Sequence, residues 1–410
     1  MTRLLDGMMR LVNFHLGGSL YAIPAMCLAG GPAMAGAMLF ASACLTLAVY
    51  ENLSDLAVRT GEGSLCRITS HALGRGFATA LRALVVLNAL GVVVFYGQAC
   101  VDIYQGISST SFDSRPSLVF WATLALGGAT VPVLEHALPD VADWGSLSAN
   151  SALLVLAAAL FYLPPAAGDA AAGNTRELKS WWDMVVGFGP AAVFSFSSAE
   201  YVLYSCGVSD EVGRLDDKAK VHREVRLVGS LSLLVSLFIY GLVGLGGLRA
   251  FGTKVQDDIL KNFALQETQH PALAALVLGT NAVSLVLSLP VFAETLLLYT
   301  RELLHDVLPE SAFAKLEAHP LGEWLVNPGR PYVGCVWVIP LAALLAKKAH
   351  GLISIINLLC SCTDYAFMFV FPGLAFCALF RTSMRWACNL LLVMGAAYFG
   401  AQSFMQEWRS

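Results

Sequence analysis

Charge is scarce in this sequence of 410 residues. Asp, Glu, Lys and Arg together make up 13% of it, about half the share of a soluble domain. With 57% hydrophobic residues and a mean hydropathy of +0.66, the chain has too few polar groups to cover its own surface in water. A lipid bilayer removes that requirement. The net charge of −4 is small, and no basic block points to nucleic acid. The ten cysteines show neither zinc spacing nor a disulfide framework. Nine fall in or beside apolar runs, where Cys packs as a small hydrophobe, and Cys66 is expected in a loop. Cys360-Ser-Cys362 has no His or further Cys beside it. His-Glu-x-x-His, Gly-x-Ser-x-Gly and Cys/His ligand clusters are all missing, which argues against a membrane-embedded enzyme. The Gly241–Gly247 cluster follows no strand and reads as packing rather than a nucleotide loop.

Long apolar runs are what the chain does have. A bilayer core takes about 20 apolar residues per helix. On that rule spans fall at roughly 5–29, 32–57, 78–106, 117–134, 145–164, 184–206, 225–248, 271–299, 332–346, 350–380 and 385–405. The expected fold is an all-α, polytopic membrane bundle of about eleven spans, in one domain over 1–410. Arg3, Arg10 and Ala33-Met34-Ala35 imitate a cleaved leader, but Asn13, His15 and Pro24 suit a working helix that is retained. With the N-terminus in the cytoplasm, 16 of the 25 Lys and Arg lie inside, the bias that sets orientation. The C-terminus then falls outside. Residues 207–224 read as a solvated connector, and 301–330 as a partly helical one along the inner face.

Two spans are interrupted. The first reads Asn13-Phe14-His15-Leu16-Gly17-Gly18-Ser19-Leu20-Tyr21-Ala22-Ile23-Pro24. Its glycines, serine and proline invite unwinding. The sixth reads Gly187-Phe188-Gly189-Pro190 and then Phe194-Ser195-Phe196-Ser197-Ser198-Ala199-Glu200-Tyr201. Unwound backbone at bilayer depth is tolerated only where it lines a cavity or is buried in protein. Breaks at positions 1 and 6 are where an inverted five-plus-five repeat puts its discontinuous helices, and they point to a carrier's binding site. Repeat 1 would cover about 5–164, repeat 2 about 184–380, and 385–405 would be an extra span. The alternative is small residues for close helix packing.

The residues around these breaks resemble the amino acid/auxin permease family, which shares the LeuT-type fold. That family carries Asn-x-x-x-Gly-Ser-Gly-Leu-Leu-Ala-Leu-Pro in span 1. Asn13, Gly17, Leu20, Ala22 and Pro24 match, whereas Gly18 and Ser19 stand where Ser and Gly are usual. Gly91, Tyr96 and Asp102 in span 3 are similar in spacing. Phe194-Ser195-Phe196 resembles the family's Phe-Ala-Phe. Gly252 through Asp257-Asp258-Ile259-Leu260-Lys261-Asn262-Phe263, Leu289-Pro290 and Phe369-Val370-Phe371-Pro372-Gly373-Leu374 extend the likeness over nearly the whole chain. Ala199-Glu200-Tyr201 departs from the His-Gln-Asn of the sodium-coupled neutral branch. The resemblance implies eleven helices, an internal N-terminus and amino acid transport coupled to sodium or protons. It also implies a sodium site between spans 1 and 8, with Asn13 and Ser288 at the matching positions.

These readings define the expected site. Amides around Gly17, Gly18 and Ser19 would receive the substrate α-carboxylate, because a half-helix N-terminus presents free N–H groups and a positive dipole end. Carbonyls around Phe194, Ser195, Phe196 and Ser197 would receive its ammonium. Glu200, an intramembrane acid, would bind a cationic side chain, carry a proton or pair structurally. Asp364, Glu294 and His15 are weaker candidates of the same kind. Tyr96, Phe196 and Tyr201 are candidate pocket walls, and Asp102 is expected at the interface. The reading is a secondary active amino acid carrier, working as a monomer in the bilayer of the plasma membrane or an endomembrane. It needs no cofactor beyond the coupling ion. A channel or a non-transporting amino acid sensor would share many of these features.

Overall fold

A computed structural model describes residues 2–16, 18–108, 141–166, 180–206, 218–264, 269–319, 361 and 363–409. Every regular element among them is helical. The N-terminal helix α1 (Thr2–His15) gives way to a 3₁₀ turn (Gly18–Ala22) and then α2 (Ile23–Gly30). Next come α3 (Pro32–Thr60), α4 (Leu65–Leu73), α5 (Arg75–Ser108) and α6 (Val141–Tyr162). A second interrupted pair follows, α7 (Trp181–Phe194) and α8 (Ala199–Ser205). The rest comprises α9 (Lys218–Phe251), α10 (Pro271–Val307), α11 (Glu310–Ala318), α12 (Phe371–Leu379) and α13 (Arg385–Arg409). A π turn (Ala366–Val370) leads into α12 and a 3₁₀ turn (Ile259–Phe263) follows α9.

Helix length follows from the apolar runs. α5 and α9 each hold 34 residues, about 50 Å at 1.5 Å per residue, enough to cross a bilayer and emerge from it. Among the described residues four helices, Pro32–Thr60, Arg75–Ile107, Ala219–Lys254 and Arg385–Gln406, are individually long and apolar enough to span. Gly7–His15 and Ser19–Gly30 pass the same test as a pair, with a bend of 46° between them. Phe40, Leu154, Leu234, Phe238 and Leu391 point outward, as the lipid-facing side of a membrane bundle requires. The expected spans at 117–134 and 332–346, and the residues 350–360 and 362 of the span expected at 350–380, lie outside the described residues.

One expectation fails. Cys66 is not in a loop. It sits on α4, a short amphipathic helix capped by the Ser64 side chain, which accepts from the Arg67 N–H at 3.3 Å. Leu65, Cys66 and Ile68 are buried, and the helix packs on α5 and α12. At nine residues α4 is too short for a hydropathy window tuned to bilayer spans. Gly61 and Gly74 flank it at φ 75° and 96°, a conformation that glycine adopts without the Cβ penalty.

The bundle places both interruptions in its interior. α9 runs beside α3, α1 and α2, while α10 lies along α5 and α6. α1 touches α8, so the two broken spans meet. A Cβ on Gly7 would stand 2.3 Å from the Ser205 carbonyl oxygen. Glycine there sets how closely the broken spans approach.

Candidate functional site

At the first break, α1 ends at His15 and the next regular turn starts at Gly18. At the second, Pro190 lies within α7, which stops at Phe194 and leaves Ser195–Ser198 outside regular helix before α8. Such ends release backbone groups that need partners. Tyr240 of α9 supplies one to both. Its hydroxyl donates to the His15 carbonyl and lies 3.1 Å from the Ser195 carbonyl. The same hydroxyl pairs with Ser19 Oγ at 2.8 Å. Beside it the buried His15 ring meets Ser236 Oγ through Nδ1 at 3.2 Å. Its Nε2 meets Tyr50 OH at 2.8 Å and Ser198 Oγ at 2.9 Å. Phe196 closes this polar hub edge-on to His15 and to Tyr240, with ring centroids 5.8 and 5.5 Å apart. Residues from α1, α3, α9 and both breaks are thus tied in one buried network.

The opposite side of the second break faces a cavity. Its empty space, open mouth included, is about 640 Å³. Val85, Ala89, Val92 and Tyr96 of α5 form one wall. Phe14, Phe194, Tyr201 and Phe367 form the others, with Phe14 and Tyr201 stacked at 3.9 Å. Asn88, Ser197 and Glu200 join the tyrosines Tyr96 and Tyr201 as its polar residues. Tyr299 of α10 donates to Glu200 Oε1. Asn88 donates through Nδ2 to Asp364 Oδ1 at 2.6 Å. A carboxylate accepts only, so this bond turns the Asn88 carbonyl oxygen away from Asp364.

Charged clusters bracket the cavity. At one end of α5, Arg82 Nε donates to Glu302 Oε2 at 3.0 Å and its guanidinium also grips Asp306. Toward the other end, Asp102 Oδ2 lies 3.6 Å from Lys261 Nζ, on the 3₁₀ turn after α9. Asp102 is 2% exposed, so protein covers it at that end of α5. The turn after α9, remote in the chain, closes over it. Asp258, which caps that turn, is fully buried, and burial first, then Asp102, holds its carboxyl well above the usual carboxylate range. Burial alone would lower Lys261, but Asp102 and Asp257 outweigh it and hold its ammonium above the usual lysine range.

The sequence-selected residues therefore divide between two sides. Phe194, Ser197 and Glu200 line the cavity, together with Tyr96 and Tyr201. Ser19, Ser195 and Phe196 face the hub. Among the break carbonyls, Ser195 O meets Tyr240 and Phe196 O accepts from Ser198 Oγ at 3.2 Å. Each carbonyl retains a second lone pair. Gly17 and the side chains of Ser288 and Glu294 lie outside the described residues. Of Gly18 only the backbone is described, at the start of the 3₁₀ turn. Between the first span and α10 the structure shows Tyr21 OH donating to Asn281 Oδ1 at 2.9 Å. Sequence reasoning missed Phe14, Tyr50, Asn88, Tyr240 and Tyr299. Asn88 had a visible signal, as a lone amide inside an apolar run. The others are aromatics, which are too common in membrane helices to stand out.

Comparison with known proteins agrees with this architecture. A family model described as transmembrane amino acid transporter protein matches residues 7–405. No curated protein matches the sequence. Two solved structures share the fold. One is a manganese transporter of Eremococcus coleocola in complex with an aromatic bis-isothiourea substituted compound, at TM-score 0.61 and 12% identity, covering 99% of this chain and 87% of that one. The other is a histidine-to-alanine mutant of the manganese transporter of the same organism, at TM-score 0.51 and 10% identity, covering 99% and 85%. Buried helix breaks, a lipid-facing exterior and a family match over almost the full length converge on one assignment. This chain belongs to the transmembrane amino acid transporter family, as an integral membrane transporter and not an enzyme.

Proposed function

We propose that the protein is a secondary active carrier that moves amino acids by alternating access, coupled to sodium or protons. The observation that supports this most is that both helix breaks converge on one hub, with a cavity on the hub's far side. Polar groups freed by a break are held where a small substrate can reach the second one. In this reading the substrate α-carboxylate sits at the amides around Gly17, Gly18 and Ser19, and its ammonium at the second break. Asn13 and Ser288 are the proposed sodium ligands, both hard oxygen donors suited to an alkali cation. The proposed arrangement is an inverted repeat of five plus five spans with one extra span, acting as a monomer.

The test is net flux of a labelled amino acid mixture into proteoliposomes holding the purified protein. Saturable uptake, dissipated by an ionophore for the coupling ion, is the expected result. Saturable binding without flux would make the protein a sensor and end the carrier reading. Currents at rates far above carrier turnover would make it a channel.

A further inference from the structure

Unpaired acceptors gather in the lining of the cavity. Three buried oxygens have no hydrogen-bond partner among the described residues and belong to cavity-lining side chains: Asn88 Oδ1, Ser197 Oγ and Glu200 Oε2. Glu200 as a whole is only 9% exposed. Orphaned buried polar atoms are rare and call for an explanation. The amide oxygen and the carboxylate are acceptors, and the serine hydroxyl accepts as well as donates. All three of these unpaired oxygens can accept.

The surroundings add negative charge. Glu200 stands near the Arg82, Glu302 and Asp306 cluster, where Arg75 Nε is a further 3.6 Å from Asp306. Two arginines there face three carboxylates, and both are already engaged. Asp364 stands behind Asn88. The remaining walls are apolar and aromatic: Val85, Ala89, Val92 and Phe367 suit a methylene stem, and the stacked Phe14 and Tyr201 rings suit a nearby cation.

We infer that the cavity selects amino acids with a cationic side chain, lysine or arginine in type, whose ammonium or guanidinium donates to Glu200, Asn88 and Ser197. This inference rests on the amino acid carrier reading and specifies its substrate class. A multiple N–H donor on an aliphatic stem satisfies all three oxygens and neutralises the acid. A neutral side chain would leave Glu200 Oε2 desolvated and unpaired. Glu200 would thus act as the specificity-determining residue, Tyr299 holding its other oxygen and Asp364 orienting Asn88.

Lysine and norleucine separate the inference cleanly, because they share a four-carbon stem and differ in the terminal ammonium. Competition by each against radiolabelled lysine would be measured on the purified protein in nanodiscs. The wild type should prefer lysine by about 30-fold or more, the factor lost when a buried charged partner is removed. In Glu200→Gln that preference should collapse to within a few-fold, while binding of norleucine is kept. Equal or better competition by norleucine in the wild type overturns the inference without any variant. So does a lysine preference that survives in Glu200→Gln, or thermal stabilisation by manganese chloride with none by lysine. If neutral amino acids bind and are transported while lysine is not, this inference fails and the carrier reading stands. If no amino acid binds or moves, both fail.

Discussion

Replacing Tyr240 with Phe tests whether one side chain from α9 holds both helix breaks together. The substitution keeps the ring, so the edge-on packing on Phe196 at 5.5 Å remains and no cavity forms. Only the hydroxyl is lost. That hydroxyl has one proton, which it gives to one break carbonyl at a time, and it also pairs with Ser19 Oγ. Its removal leaves a buried carbonyl without its donor and a buried serine without its partner. At about 1–3 kcal/mol per unsatisfied buried group, the two groups together cost about 2–6 kcal/mol. It falls on the geometry of the breaks rather than on the helices as a whole. Thermal unfolding of the purified protein should show a clear drop in midpoint, and labelled amino acid uptake should fall at least tenfold. Tyr50→Phe provides the contrast. His15 Nε2 keeps Ser198 Oγ at 2.9 Å as a partner there, so its effect should be smaller. Wild-type stability and uptake in Tyr240→Phe would refute the idea that this hydroxyl couples the breaks.

Three further outcomes follow from the same geometry. Gly7→Ala must push α1 from α8, since its Cβ would meet backbone at 2.3 Å; overpacking of this kind costs about 1–3 kcal/mol, read as a lowered unfolding midpoint and reduced uptake. Asp258→Asn keeps an acceptor for the Leu260 N–H, now at 2.8 Å, and removes a carboxyl whose folded pKa is raised by burial and by Asp102. The wild type holds the stability of its protonated Asp258 below the unfolded carboxylate range and loses it as pH rises toward the folded value. The variant should therefore gain on the wild type in unfolding midpoint between pH 5 and pH 8, and a gap constant across that range would contradict the burial argument. Ion replacement addresses coupling: sodium dependence that weakens in Asn13→Ala and Ser288→Ala supports the sodium site, whereas full uptake in choline that rises as external pH falls points to protons.

The class of fold was legible in the sequence because a bilayer imposes a one-dimensional rule. Apolar runs near 20 residues must be helices, and those at 32–57, 78–106 and 225–248 reappear as α3, α5 and α9 with ends moved by several residues. The ends moved because helices continue beyond the hydrocarbon, where hydropathy no longer reports on them. The breaks were legible too: Gly, Ser and Pro at bilayer depth have few other uses, and both interruptions lie where those residues cluster. Local chemistry gave no hint of α4, whose apolar face is shared among polar residues over nine positions.

What only the tertiary structure decided is the division of labour around the second break. Ser195 and Phe196 turn to the hub while Phe194, Ser197 and Glu200 turn to the cavity. That depends on how α7 and α8 are rotated against α5 and α9. The partners come from far along the chain: Tyr240 is 221 residues from Ser19, and Asn88 is 276 from Asp364. Asp102 is covered by a turn more than 150 residues away, which brings Asp258 and Lys261 beside it. Hydropathy is a property of each residue and its neighbours in sequence, so it specifies which segments enter the membrane. Hydrogen-bond partners and buried charges are properties of pairs, and only packing brings those pairs together.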